Sequence, residues 1–226
     1  MSSRHLQPEE TVNEAPEAYR ETGYVRLTGF MPEEACIAFL SQLKADLAAG
    51  GVSLSSLATS SALLQRSAVE LYAFHYAPMA AFLWGMTPAI AQVTGLDLLP
   101  TYAYLRIYRS GDLCRIHSDR HACEHSVSLT LANGEGHSWP LDIGTRPIPE
   151  PRPEVRDDFE GESHIEVPMA PGDAVLYQGV HRRHGRLTPN PNSWSAHLFL
   201  HWVDRNGPYR GAAFDGRPVP KAVRWP

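Results

Sequence analysis

From about residue 101 onward the chain breaks into short segments rich in β-branched and aromatic residues and separated by turn residues, and this texture limits the possible folds more than any other feature. Residues 101–109 alternate so that Tyr102, Tyr104, Arg106 and Tyr108 share one face of a strand. Ser110-Gly111-Asp112 and Asn133-Gly134 are turn signals. Residues 113–119, 126–131, 139–143, 165–167, 171–177 and 195–203 read as further strands, the segment at 171–177 opening with a tight turn. No single strand of this length can bury a face alone, so a run of about eight implies a sandwich or barrel in which strands distant in sequence meet.

The first hundred residues have a different character. Residues 1–20 are polar and are expected to form a flexible N-terminal arm. Residues 23–30 alternate as a short strand. Pro32-Glu33-Glu34 suits a helix start, since proline at the first turn sacrifices no hydrogen bond and carboxylates there favour the dipole. Cys36, Leu40, Leu43 and Leu47 then recur at helical spacing as far as Gly50-Gly51, and that stripe is read as core packing. Residues 52–66 read as a loop with a turn of helix. An apolar segment from 77 to 94 carries Met79, Phe82, Leu83, Trp84, Ile90 and Val93, is interrupted by Pro88 and ends at Gly95, as a buried helix would.

Helices followed by strands make an α+β chain, with helical support over 31–95 and a double-stranded β-helix (jelly-roll) core over about 100–204. At 226 residues and 43% hydrophobic content, residues 21–226 suffice for a single domain with a sizeable core. Residues 144–163, with four prolines and a cluster of acids, read as a long irregular insertion, and the Gly-, Pro- and Arg-rich tail from 204 is expected to wrap the surface.

A formal charge of −5 supplies no broad positive field, which argues against nucleic acid or an anionic membrane as partner and for a small molecule or peptide. Cys36, Cys114 and Cys123 are odd in number and lack disulfide spacing, which indicates a reducing compartment. The opening residues have no apolar core of the signal-peptide kind, and no run of eighteen apolar residues occurs, so a soluble, cytoplasmic protein is expected.

The chemistry lies in two stretches. One is Arg115-Ile-His117-Ser-Asp119-Arg120, and the other, about sixty residues later, is Tyr177-Gln-Gly-Val-His181-Arg-Arg-His184-Gly-Arg186. On an extended strand His117 and Asp119 point the same way and can share one cation, and an imidazole from the later stretch would complete a set of two histidines and one carboxylate. That set leaves open positions and suits non-heme Fe(II). His-x-Asp alone is a weak pattern in a chain with eleven histidines, so the weight falls on what accompanies it.

What accompanies it is a family resemblance. Tyr108-Arg-Ser-Gly-Asp-Leu-Cys-Arg-Ile-His117-Ser-Asp119, then Pro171-Gly-Asp-Ala-Val-Leu-Tyr177, then a downstream His and Phe199-Leu-His-Trp-Val-Asp204, resembles the Fe(II)/2-oxoglutarate dioxygenases of the prolyl 4-hydroxylase-like kind, over roughly residues 100–204. The resemblance implies His117 and Asp119 as metal ligands, and His184 in preference to His181 as the third, because relatives with a Tyr-x-Gly turn place the ligand seven after that Tyr and an Arg two beyond it. In relatives a Lys or Arg nine to eleven residues after the distal His holds the far carboxylate of the co-substrate; here Ser193, Trp194 and Ser195 stand in those places. Arg186, two beyond His184, is the substitute expected to grip that carboxylate, Tyr108 the hydroxyl beside it, and Arg115, two before His117, the reserve.

The implied reaction is oxidative decarboxylation of 2-oxoglutarate by O₂ to succinate and CO₂, coupled to hydroxylation of an unactivated C–H bond. A free amino acid or other small metabolite is the expected substrate. The alternatives are a peptidyl or protein hydroxylase, with the 144–163 insertion as a clamp, and a non-catalytic jelly-roll that senses a metal or metabolite. Arg120 and Glu124 are expected to pair with each other, His197 and His201 to fill the barrel, and Trp139 to join an apolar wall.

Overall fold

The computed structural model describes residues 8–152, 154–218 and 222. Helix α1 (Pro8–Thr22) leads into strand β1 (Tyr24–Leu27) and helix α2 (Glu33–Ala49), after which come β2 (Ala58–Thr59), β3 (Ala68–Tyr72) and helix α3 (Ala77–Thr94). The strands β4 (Leu98–Arg109), β5 (Cys114–His117), β6 (His125–Asn133), β7 (Leu141–Gly144), β8 (His164–Val167), β9 (Ala174–Tyr177), β10 (His184–Arg186) and β11 (Trp194–Asp204) follow. They form a seven-stranded sheet in the order β1-β9-β6-β11-β4-β3-β2 and a four-stranded sheet in the order β5-β10-β7-β8. The pairings are antiparallel, and the architecture is the α+β jelly-roll that the strand texture predicts.

Strict alternation along three central strands divides the larger sheet into two unlike faces. Ala103 and Leu105 of β4, Val127, Leu129 and Leu131 of β6, and Leu198, Leu200 and Trp202 of β11 join Met79, Leu83 and Ile90 of α3 and Cys36 and Leu43 of α2 in one buried core. Each leucine removed from water in this way contributes about 1.5–3 kcal/mol, so this outer face holds the helices to the sheet. The inner face of the same strands is polar and aromatic: Tyr104, Arg106 and Tyr108 on β4, Ser126, Ser128 and Thr130 on β6, and His197, Phe199 and His201 on β11. An apolar outer face and a polar inner one place a lined hollow between the sheets.

Two expectations need correction. Residues 1–7 lie outside the described residues, but 8–20 belong to helix α1 and not to a loose arm, and Tyr19 is buried against the core with its hydroxyl bonded to His125 Nδ1 at 2.7 Å. Strand β3 was not expected at all; it pairs with β4 from Val69↔Ile107 to Tyr72↔Tyr104. The insertion at 144–163 is tied down along β5: Ile116 and Arg156 exchange backbone hydrogen bonds at 2.9 Å, and the Ser118 hydroxyl both donates to the Arg152 carbonyl and accepts from its N–H.

Candidate metal centre

The sheet pairing brings the two stretches together. His184 opens β10 directly opposite His117, the last residue of β5. The strand ends there, and Asp119 is set by the loop beyond it, its N–H donating to the Gly179 carbonyl at 2.9 Å. His117 Nε2 lies 3.6 Å from one carboxylate oxygen of Asp119 and His184 Nε2 lies 3.6 Å from the other. The two rings are 4.4 Å apart, and one donor atom from each of the three residues falls within 4.8 Å of the others. His181 is elsewhere, bonded through Nδ1 to the Ile148 carbonyl, so of the two histidines weighed as the third partner it is His184 that converges.

The far side of each ring fixes what its near side offers. His117 Nδ1 lies 2.8 Å from the Arg115 carbonyl and His184 Nδ1 lies 2.9 Å from the Arg182 carbonyl. A carbonyl only accepts, so each ring carries a proton on Nδ1, and a neutral ring so held presents a bare Nε2 lone pair to the Asp119 carboxylate. Two lone pairs and an anion aimed at one point repel unless a cation sits among them, and the 3.6 Å gaps are too long for hydrogen bonds. The donor set therefore fits a divalent metal. Burial pushes His184 down to about 4, so its ring is neutral, and Asp119 stays ionised: although burial opposes its charge, any positive charge on the His184 and His117 rings favours the carboxylate and holds it well below the usual range.

Space at the centre is kept by two glycines that escaped attention in the sequence. A Cβ on Gly179 would lie 2.3 Å from Asp119 Oδ2 and 2.5 Å from the Cys123 carbonyl. One on Gly185, between His184 and Arg186, would lie 2.5 Å from the Cys114 carbonyl, so glycine is what lets β10 approach β5.

A cavity of about 350 Å³ of empty space adjoins the three residues and is lined by Tyr104, Arg106, Tyr108, Tyr177, Arg186, Phe199 and His201 among others. Arg186 enters it as expected, two residues after His184. It is 1% exposed, donates to the Trp139 and Pro140 carbonyls, lies over the Trp139 ring at 4.7 Å, and is 3.3 Å from His197 Nδ1. No carboxylate pairs with it among the described residues. A buried guanidinium without an anion is costly, and its burial lowers its own basicity. The other buried arginine of this wall, Arg106, is neutralised by Glu70 at 2.6 Å and donates to the Tyr108 hydroxyl at 3.1 Å.

Arg115 does not share this cavity. A bulge between β5 and β10, where His184 faces His117 but Arg186 faces Cys114, breaks the alternation, so Cys114 turns inward and Arg115 turns out to Asp157 at 2.8 Å and the Ala62 carbonyl at 2.9 Å. Arg120 and Glu124 do not pair with each other either: Arg120 binds Asp215 at 2.7 Å, and Glu124 accepts the Asp204 N–H at 2.8 Å. Trp139 is fully buried beneath Arg186. His201, read as barrel filling, lines the cavity with Nδ1 on the Ser126 hydroxyl at 2.9 Å, and its alternation with Phe199 and His197 was the available signal.

No family model matches the sequence, and no curated protein matches it. Solved structures share the fold. SnoK, a non-heme alpha-ketoglutarate dependent carbocyclase from nogalamycin biosynthesis, superposes with a TM-score of 0.65 at 14% identity, over 90% of this chain and 86% of that one. A Pseudomonas putida prolyl-4-hydroxylase gives 0.57 at 14% identity over 84% and 98%. EctD from S. alaskensis, solved with 2-oxoglutarate and 5-hydroxyectoine, gives 0.56 at 14% identity over 90% and 78%. At these identities the likeness establishes a common fold, and the chemistry has to be argued from the site.

Proposed function

We propose that this chain is a non-heme Fe(II)/2-oxoglutarate-dependent dioxygenase that hydroxylates an unactivated C–H bond of a small metabolite or amino acid, with release of succinate and CO₂. The observation that carries the proposal is the convergence of His117 Nε2 and His184 Nε2 on the Asp119 carboxylate, each 3.6 Å from one of its oxygens, with the Nδ1 atom of each ring turned to a backbone carbonyl. His117, Asp119 and His184 would hold ferrous iron, which with the oxo acid and O₂ supplies the oxidising chemistry. Structures of the same fold described as alpha-ketoglutarate dependent, or solved with 2-oxoglutarate, support the choice of co-substrate.

The remaining roles belong to side chains of the cavity. Arg186 is the buried cation that lacks an anion, and it would take the far carboxylate of 2-oxoglutarate in a bidentate grip. The Tyr108 hydroxyl, held in place by Arg106, would share that carboxylate. Trp139, Tyr177 and Phe199, all buried, would exclude water from the reacting centre. Ligands, co-substrate grip and wall would be drawn from both sheets, so residues 21–226 would act as one domain. Among the described residues no helix is long and apolar enough to cross a membrane. Three free buried cysteines favour a reducing cytoplasmic setting, which would also keep iron ferrous.

The test is anaerobic titration with Fe(II) and 2-oxoglutarate, followed by succinate measurement in air. A visible metal-to-ligand charge-transfer band and succinate formation that needs both additions are expected. Neither band nor succinate would leave a non-catalytic binding role as the better reading, and a screen of succinate release against amino acids and peptides separates small-molecule from peptidyl substrates.

A further inference from the structure

A second cavity, of about 850 Å³ including its open mouth, lies beside the metal centre and is lined by Phe74, Trp84, Tyr102, Phe214, Asp215 and Arg217 among others. Tyr102 stands between the two regions: it lines this cavity, and its ring lies 4.5 Å from that of His201, which lines the other. A ladder of near-parallel rings joins them: Phe74 to Tyr72 at 5.5 Å, Tyr72 to Tyr104 at 5.4 Å, and Tyr104 to Phe199 at 4.8 Å. At its outer end Phe74 is 57% exposed and Trp84 is 60% exposed, so two large rings stand open to solvent on one cavity. Clustered apolar exposure of this kind marks a binding surface.

Polar groups define the ligand further: Asp215 and Arg217 line the cavity, and Arg120 stands behind two of its lining residues, Tyr102 and Asp215. Arg120, the residue after Asp119, holds its guanidinium 4.4 Å from the Tyr102 ring and is paired with Asp215 at 2.7 Å. Asp215 and Phe214 reach their places through backbone φ values of 57° and 54°, a left-handed conformation that residues other than glycine rarely adopt. The chain bends here so that the Phe214 ring approaches Trp84 at 6.0 Å while the next residue sets a carboxylate on Arg120. A ring and a carboxylate side by side, on an aromatic wall and an arginine, is the outline of a ligand.

We infer that this cavity binds a flat aromatic carboxylic acid, its ring against Phe74, Trp84 and Tyr102 and its carboxylate on Arg120 in place of Asp215. The inference rests on the dioxygenase proposal only in taking this acid as the substrate; the site itself does not depend on it. Arg217, 5.9 Å from the Phe74 ring, adds a second cation at the rim. Exchange of one carboxylate for another at Arg120 would free Asp215 and, with it, the strained turn.

Calorimetric titration of the full chain with 1-naphthoate and 1-naphthamide, without iron or oxo acid, tests this. The acid should bind at least tenfold more tightly than the amide. Asp215→Asn, which removes the internal competitor, should tighten the acid severalfold. Arg120→Gln should weaken it at least tenfold and erase the preference over the amide, and Trp84→Ala should weaken both ligands alike. Trp84 is exposed and its substitution leaves the core intact, so that variant reports even if an exchange at 120 or 215 disturbs the turn. Equal affinity for acid and amide, absence of binding, or weaker binding to Asp215→Asn would overturn the inference. Succinate assays separate the two proposals: acid-selective binding in a protein that never forms succinate would sink the dioxygenase and leave the acid site, and the reverse result would do the opposite.

Discussion

A proton on Nδ1 of His117 and of His184, held there by a carbonyl two residues back in the chain, leaves the other nitrogen of each ring to serve as a ligand. Replacing His184 or Asp119 with alanine is expected to reduce Fe(II) affinity by more than the about 10–100-fold that loss of an outer hydrogen-bond partner costs, and to abolish succinate formation. Far-UV circular dichroism should be unchanged, because the apolar outer face of the large sheet holds the fold. Gly179→Ala probes the same centre without touching a ligand. Its Cβ would fall 2.3 Å from Asp119 Oδ2, so an overpacking cost of about 1–3 kcal/mol in urea denaturation should come with weakened metal binding. Arg186→Met should raise the KM for 2-oxoglutarate at least tenfold, whereas Arg115→Ala, whose side chain points outward to Asp157, should leave it unchanged. Equal effects of the two would show that the anchor is misassigned.

Strands that alternate without interruption were legible, and those shaped by pairing were not. Tyr104, Arg106 and Tyr108 face one cavity as their spacing predicts, because β4 is long, central and regular. Arg115 failed the same rule because β10 is three residues long and bulged against β5, and a bulge leaves no mark in the composition of either strand. Strand β3 was missed for a related reason. Its Glu70 breaks the apolar pattern, and only the structure shows that Glu70 sits opposite Arg106 in register and pairs with it at 2.6 Å, both side chains nearly buried. Removing one partner of such a pair strands the other charge, so Glu70→Ala should cost about 3–5 kcal/mol in chemical denaturation. A cost under about 1 kcal/mol would mean that Arg106 finds another anion in the cavity.

At the scale of the molecule, helix α1 is the part that sequence polarity concealed: among its described side chains Ala15 and Tyr19 are buried while Glu17, Arg20 and Glu21 are exposed. It is joined to the large sheet through Tyr19 and His125, which are hydrogen-bonded at 2.7 Å in surroundings that exclude solvent. Burial pushes His125 down to about 4, so in the folded protein it is neutral across the range in which an unfolded histidine, near 6.5, gains a proton. The unfolded state then binds more protons than the folded one between those values, and stability rises with pH there. Folding free energy should therefore be full above about pH 6.5 and fall toward pH 4, by about 3 kcal/mol from this residue at about 1.4 kcal/mol per unit. Guanidinium denaturation measured at pH 7.5, 5.5 and 4.5 should show that loss in the natural chain and a shallower one in His125→Asn. Equal slopes in the two proteins would mean that other buried histidines, and not the contact that docks α1, set the acid limit of the fold.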